Sequence, residues 1–313
     1  MGRYYLSKLL QAFITILLIV IVVFALLRFM PISGYFSKEE YRELSEAAKN
    51  AYLRKIGVLD PMLVQMKNFF LNLFKGELGT SITVYPQTPI SEILGDKIKY
   101  SVLLNVFSLI LSAGLGLPLG LAMAKSKGGL VDNLGTAYVV AIRSIPSIII
   151  LFFVQVGLSK LFNLPMLFYM ERPESWILPT ISLSLGSIAG YAIWLRRYVV
   201  DEENKDYIKF ARVKGLSQNY ILTRHVFRNA IVPIAINLPS DILLLLSGSL
   251  ITESLYSVPG MGGLLIKSIK ELDNPLVQVL VLLFSTLSVL GVFLGDIFIS
   301  FVDPRIKLTG ETE

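Results

Sequence analysis

Six apolar runs separated by polar intervals set the pattern of the chain: about Leu9–Phe29, Ser101–Ala124, Leu134–Leu161, Ile177–Leu195, Ile231–Ile251 and Pro275–Phe301. Each approaches or exceeds the ~20 residues that a helix needs to cross the hydrocarbon core of a bilayer. Helices are required there because unpaired backbone groups are too costly in lipid. The pattern predicts an all-α integral membrane protein with six transmembrane helices. The first run is too long for the apolar core of a signal peptide and is read as a retained span. Four parts follow: residues 1–29 with the first span, 30–100 as a helical extracellular segment, 101–301 as a five-helix core, and 302–313 as a cytoplasmic tail. The core includes a cytoplasmic interval at 198–230.

That interval is the longest polar, densely basic stretch among the later spans, and Gly215 punctuates it. Asp206 is placed to cap a short helix running to Val213 or Lys214. Gly215 suits the left-handed residue just past such a helix, and Ser217 can cap the next. The spacing predicts a helix, a sharp turn and a second helix outside the membrane, where the available partners are the bilayer surface or another protein.

Residues 30–100 carry helix signals of their own. Ser37 with Glu40 forms a capping-box pattern, opening a helix that Gly57 can close. Asp60-Pro61 places a cap and a first-turn proline ahead of a second helix. In it Met62, Met66, Phe69, Phe70, Leu73 and Phe74 recur at helical spacing. Packing on neighbouring protein is the favoured reading of this stripe, ahead of an interfacial helix on the outer leaflet.

Inside the spans, Gly116/Gly120 and Gly186/Gly190 each place a flat strip on one helix face, which lets backbones approach closely. Arg143 in the third span and Asp241 in the fifth are charges that are expensive in lipid. Both accompany proline-broken stretches, Ser144-Ile-Pro146-Ser and Asn237-Leu-Pro-Ser-Asp241. Proline frees a carbonyl, tolerable only where protein or water satisfies it. Two compatible readings stand: a structural ion pair between Arg143 and Asp241, or a polar translocation pathway lined by Arg143, Pro146, Asn237 and Asp241. After the fifth span, the run from Glu253 to Gly263 predicts a compact turn at the outer mouth. Glu253, Tyr256, Pro259 and Gly260 are the outer-gate candidates, with Glu253 assigned by composition to plain solvation.

Composition agrees with the membrane reading: 54% of the residues are hydrophobic. The chain has no cysteine and a single histidine, His225, which excludes thiolate and multi-histidine metal sites. The net charge of +6 matters through its distribution. With both termini cytoplasmic, Arg3, Lys8, Lys125, Lys127, the basic 196–228 interval, Arg305 and Lys307 lie inside. The short outer loops then hold only Lys160, Arg172, Lys267 and Lys270, so the inside is the more basic side. No phosphate loop, metalloprotease motif or nucleophile elbow is present. An enzyme is disfavoured, and a self-sufficient secondary transporter lacks a clear inverted repeat.

Asp206-Tyr-Ile, Ala211-Arg-Val-Lys-Gly-Leu-Ser217, His225 and Arg228-Asn-Ala resemble the "EAA" coupling region of ABC-importer permeases, in the form of the oligopeptide/dipeptide branch. The resemblance continues through Ser247-Gly-Ser, Glu253-Ser-Leu-Tyr, Pro259-Gly-Met-Gly262, Asp273-Asn-Pro275 and Asp303-Pro-Arg-Ile306. It reaches the amino-terminal half at Gly57-Val-Leu-Asp-Pro61, Gly76-Glu-Leu-Gly-Thr-Ser81, Pro146 and Arg172-Pro-Glu-Ser-Trp176. The chain is similar to the first, B-type permease of such importers, a type I fold. The resemblance implies uptake of oligopeptides, with dipeptides, nickel chelates, glutathione or glycan fragments as alternatives. It implies a second homologous permease, two ABC ATPase subunits carrying ATP and Mg2+, and an extracellular or periplasmic peptide-binding protein. It implies no cofactor on this chain, no nucleic acid, and a bacterial or archaeal cytoplasmic membrane. Asp206, Tyr207, Ala211, Lys214, Gly215, Leu216 and Ser217 would couple to the ATPase. The sequence departs from the pattern at Val213, where the family has alanine, and at Asp241, in a span position expected to be neutral.

Overall fold

The computed structural model describes residues 2–27 and 29–302, and these are helical apart from turns and one isolated bridge between Thr80 and Pro89. The tail residues Asp303, Pro304, Arg305, Ile306 and Lys307 lie outside the described residues, as do the side chains of Arg3, Leu73 and Phe74. Among the described residues, four helices are long and apolar enough to cross a membrane: Gly2–Leu27 (α1), Ile90–Lys125 (α5), Ile177–Glu203 (α9) and Asn274–Val302 (α17). They match the first, second, fourth and sixth expected spans.

The other two expected spans are not continuous helices. The third is a pair, Leu130–Ser144 (α6) and a second half from Ser147, bent by 109°. Pro146 is the cause: Ile145 before it is extended (φ −89°, ψ 132°), as steric clash with a following proline demands. The second half runs through Ser147–Phe153 (α7), a π-wound turn at Val154–Leu158 and Ser159–Phe162 (α8), and stops at left-handed Asn163. The expected span at Ile231–Ile251 is instead a succession of short helices, Val232–Ala235 (α13), Leu238–Leu244 (α14) and Leu250–Tyr256 (α15). Pro233 and Pro239 stand in the first turns of α13 and α14, where the missing N–H costs least. Gly248, at φ +70°, turns the chain between α14 and α15.

The core of the bundle is the parallel packing of α5 on α9. Its register is read from Ser112 donating to the Ser184 carbonyl (3.4 Å) and from Gly116 against Ile188 and Gly120 against Ala192. A Cβ at Gly116 would sit 2.9 Å from Tyr191 Cβ, and one at Gly120 3.0 Å from Ala192 Cα. The first glycine strip is therefore a close-approach surface, as expected. The second is not: a Cβ at Gly186 or Gly190 would meet nothing within 4 Å. That strip is open within this chain. Tyr138 ties α6 to the same helix by donating to the Leu185 carbonyl at 2.8 Å.

The segment before α5 holds helices Lys38–Glu43 (α2), Glu46–Lys55 (α3) and Met62–Phe74 (α4). The capping box at Ser37 and Glu40 is present in both directions. The backbone N–H of Ser37 holds the Glu40 carboxyl below the usual carboxylate range. The single helix expected up to Gly57 is two, because Ser45 starts a second cap by accepting from Ala48 N. On α4, Met62, Met66, Phe69 and Phe70 pack against Val20, Val23 and Phe24 of α1 and Leu282 of α17, and the Phe24 and Phe69 rings meet edge to face at 5.3 Å. The stripe is a packing surface.

Two polar contacts join the beginning and end of the chain. Lys8 of α1 pairs with Asp296 of α17 at 2.8 Å, so these two helix ends share one end of the bundle. At the opposite end, Asp273 is fully buried just before α17. Its Oδ2 accepts from Ser81 Oγ (2.5 Å) and from the backbone N–H groups of Ile82 (3.0 Å), Thr83 (3.0 Å) and Val84 (3.1 Å). This clamp holds residues 76–89 against α17 and Met261–Lys270 (α16), where Val84, Ile90, Leu264 and Leu280 share one core. Each buried donor stranded without an acceptor costs about 1–3 kcal/mol. Asp273→Ala is therefore expected to expose residues 76–89 to limited proteolysis in the detergent-purified protein. Cleavage at the wild-type rate contradicts the clamp.

Candidate functional site

The basic interval folds as expected in outline and differs in its first residue. Helix α10 spans Asp206–Val213, but its N-cap is Lys205, without a side-chain cap, and Asp206 lies one position inside. The Asp206 carboxylate instead accepts from Lys209 at 2.8 Å, which holds it below the usual carboxylate range. An acid in the first turn still complements the helix dipole. The helix closes by a Schellman motif: Leu216 N–H donates to the Ala211 carbonyl (3.3 Å) and Gly215 N–H to the Arg212 carbonyl (2.9 Å). Gly215 is left-handed at φ +77°. Ser217 Oγ accepts from Tyr220 N at 3.4 Å and starts Gln218–Tyr220 (α11), which continues as a π-wound turn and then Phe227–Ala230 (α12).

The two faces of α10 divide the work. Ile208 and Ala211 are buried against Leu195 and Val199 of α9 and Ile221, Leu222, Val226 and Ala230 of the return stretch. The small side chain of Ala211 thus allows close approach within this chain. Burying an isoleucine contributes about 1.5–3 kcal/mol, enough to seat so short a helix. Opposite, Phe210 is 68% and Val213 85% exposed, beside exposed Leu216 and Tyr220 and the cations Lys209, Arg212 and Lys214. Phe210 carried no sequence signal of its own. Its outward aim follows from Ile208 and Ala211 facing in.

A buried acid that the sequence did not disclose holds this element to the bundle. Glu202, near the end of α9, is 6% exposed. It accepts from the Tyr207 hydroxyl, from Asn229 Nδ2 (2.9 Å) and from Lys205 Nζ (2.6 Å). Asn229 also donates to the Tyr207 oxygen at 2.8 Å. One carboxylate thereby joins α9, α10 and α12. A second buried acid, Asp132 of α6, receives both Nε and Nη2 of Arg196 together with the Gly128 N–H (2.8 Å), fixing the neighbouring turn to α9. Tyr207 and Asn229, polar residues in the recognisable motif without evident partners, were the available hint of Glu202.

Within the membrane region, Asn237 and Asp241 border a cavity of about 440 Å3 between α9 and the α13–α14 stretch, together with Tyr191, Trp194 and Tyr198. Tyr191 donates to Asp241 at 3.4 Å. Arg143 is exposed at the end of α6, beside the Pro146 bend, and forms no ion pair with Asp241 among the described residues. An internal Arg143–Asp241 lock is absent there.

The segment expected at the outer mouth overturns one expectation. Glu253 is not solvated: it is fully buried. Its Oε1 accepts from Ser101 Oγ (2.8 Å) and Ser249 N (3.1 Å), and its Oε2 from Gly262 N (2.8 Å) and Gly263 N (3.1 Å). These amides belong to the first turns of α15 and α16, where unsatisfied N–H groups favour an anion. Ser101 completes the knot by accepting from Met261 N at 2.7 Å. A Cβ on Gly260 would fall 2.6 Å from the Glu253 Cδ, so the Pro259-Gly260 turn can close over the carboxylate only with glycine there. Tyr256 is buried too, its hydroxyl 2.6 Å from Ser182 Oγ on α9. Beyond the knot a cavity of about 350 Å3 is bordered by Pro259, Gly260, Tyr85, Lys97 and Lys267, with both ammonium groups over the Tyr85 ring at 5.5 and 5.3 Å. If Glu202 seats α10, Glu202→Ala should accelerate amide hydrogen exchange in residues 206–216 by about 10- to 100-fold, matching the ~1.4–2.8 kcal/mol lost with a buried acceptor. Unchanged exchange contradicts that role.

Residues 116–308 match the family described as binding-protein-dependent transport system inner membrane component. Among curated proteins, the chain is 37% identical over 212 residues to the oligopeptide transport system permease protein AmiC of Streptococcus pneumoniae, covering 67% of this chain and 42% of AmiC. It is 29% identical over 308 residues to the dipeptide transport system permease protein DppB of Lactococcus lactis, covering 98% of this chain and 100% of that one. It is 30% identical over 281 residues to the oligopeptide transport system permease protein AppB of Bacillus subtilis, covering 85% and 87%. The chain thus spans less than half of AmiC and nearly the full length of the other two. With the family match covering Gly116 and Gly120 of the packed core, the Glu202-anchored turn and Glu253 with its α15 and α16 donors, this chain belongs to the binding-protein-dependent transport system inner membrane components.

Proposed function

We propose that the chain is the B-type permease of an ATP-driven ABC importer for oligopeptides, forming half of the translocation pathway. The observation that carries this reading is the exposed face of α10 and its turn, where Phe210, Val213 and Leu216 stand in water among three cations. Exposed aromatic and aliphatic side chains cost free energy unless a partner covers them, and the surrounding charge fits an acidic groove. The groove belongs to an ABC ATPase, which binds ATP and Mg2+, and hydrolysis takes place there and not on this chain. A second homologous permease covers the open Gly186–Gly190 strip. A peptide-binding protein meets the outer mouth. The printed descriptions of the relatives, oligopeptide and dipeptide permeases, support the substrate class.

In this reading the chain crosses the bacterial cytoplasmic membrane six times, with both termini cytoplasmic. The third and fifth crossings are the broken ones, α6–α8 and α13–α15. The pairing of Lys8 with Asp296 and the gathering of Ala124, Val199 and Ala230 around α10 support this topology. Arg143, Pro146, Asn237 and Asp241 line the pathway, and the Glu253–Gly260 turn gates its outer end.

Gly215→Val places a β-branched residue at a left-handed φ of +77°, which is a severe steric conflict. The reconstituted complex is expected to keep hydrolysing ATP while peptide uptake falls at least ~10-fold, the loss that ~1.4 kcal/mol of coupling strain produces. Normal uptake contradicts the docking role. At the outer mouth, a bismaleimide bridge between Lys97→Cys and Lys267→Cys, introduced into this cysteine-free chain, should stop uptake. Transport undiminished by the bridge contradicts the gate.

A further inference from the structure

The cavity between α9 and α13–α14 is bordered by a carboxylate with few partners. Glu253 has four donors, Asp273 five, and Glu202 and Asp132 three each. Asp241 has a single side-chain donor, the Tyr191 hydroxyl at 3.4 Å, although it is half-buried. An ionised carboxylate offers about four lone-pair positions, so most of its capacity is unused. It is also the one charged group among the residues lining the cavity. Arg197, next to Tyr198 in the sequence, is not among them. It pairs with Asp201 at 3.8 Å and lies 5.4 Å from the Trp194 ring centre.

The rest of the lining has matching chemistry. Tyr191, Trp194 and Tyr198 project from successive turns of α9, and the Trp194 and Tyr198 rings stack at 5.7 Å with an interplanar angle of 23°. Trp194 is 43% exposed. On the other wall, Asn237 offers an amide beside the Pro233 carbonyl, which it reaches at 3.4 Å. A carboxylate flanked by aromatic faces attracts a primary ammonium through both Coulomb and cation–π terms. A volume of about 440 Å3 is that of a small-ligand site.

From this geometry we infer that Asp241, Tyr191 and Trp194 form a transit site for a primary ammonium carried by the transported peptide. The inference rests on the functional reading above and deepens it. The ammonium comes from the peptide amino terminus or from a lysine side chain, and the two sources are separable. Held at one acid of modest coordination, the peptide binds weakly enough to leave, which a pathway requires.

The test is uptake by the complete reconstituted importer at saturating binding protein, with four peptides chosen because that protein binds them equally well. One has a free α-amine and neutral side chains, one adds a lysine, and each also has an N-acetylated form. Asp241→Asn is expected to lower uptake of ammonium-bearing peptides about 10-fold relative to the N-acetylated neutral peptide, and Asp241→Glu to restore much of the difference. A loss confined to free α-amines assigns the amino terminus, and one confined to lysine peptides assigns the side chain. Equal uptake ratios in wild type and Asp241→Asn overturn the site, as does an equal loss for all four peptides, which marks Asp241 as structural. If the wild-type complex carries no peptide at all, the functional reading itself fails and the site fails with it.

Discussion

Breaks between helices free backbone groups that lipid cannot satisfy, and around α15, α16 and the start of α17 the structure satisfies them with buried carboxylates. The chain breaks at Gly248–Ser249 and again at Ser257–Gly260, exposing the first amides of α15 and α16. Glu253 sits between the two breaks and accepts from both helix starts while reaching Ser101 on α5. The carboxylate is the common acceptor that lets two short helices and a long one meet without stranded donors. Asp273 repeats the device at the start of α17, serving the amides of residues 82–84. Without these acceptors, this irregular end of the bundle would carry an unsatisfied-donor cost comparable with the whole stability of an ordinary domain.

The basic end solves a different problem: fixing a short helix rigidly while leaving one face free. Ile208 and Ala211 supply apolar contact, and the Glu202 knot supplies direction, because a carboxylate with three donors admits few orientations. The outward face is therefore presented by a seated element. The helix bearing Phe210 and Val213 is tied through Tyr207 and Glu202 to α9, and α9 packs closely on α5. Through that same helix the basic end is connected to the wall of the cavity bearing Tyr191 and Trp194.

The sequence made the continuous spans legible because each carries its own apolar length, and it made the turn after α10 legible because Gly215 and Ser217 act on their immediate neighbours. Pro146 and Pro239 marked breaks, but not the 109° bend or the division of the fifth span, which depend on what each half packs against. Glu253 was misread as solvated because its donors lie at 101, 249, 262 and 263, a set that only the fold assembles. Asp206 was placed one residue early because Lys205 takes the extended cap backbone. The resemblance placed Ala211 in the coupling region without a facing direction, and helix phase turns it inward with Ile208. The Gly186–Gly190 strip shows the reverse limit: its pattern promised close packing, yet a Cβ at either glycine would meet nothing within 4 Å.

The central claim is that the outward face of α10 seats on an ATP-binding subunit. Val213, 85% exposed and next to the turn, is the position to probe, and the absence of cysteine allows one label to be placed there alone. Val213→Cys carrying a benzophenone maleimide, irradiated in mildly extracted membranes, should yield a single adduct whose second component is identified by mass spectrometry as an ABC ATPase. Addition of ATP should change its yield. An adduct with lipid alone, or with no ATP-binding subunit under either condition, contradicts the account.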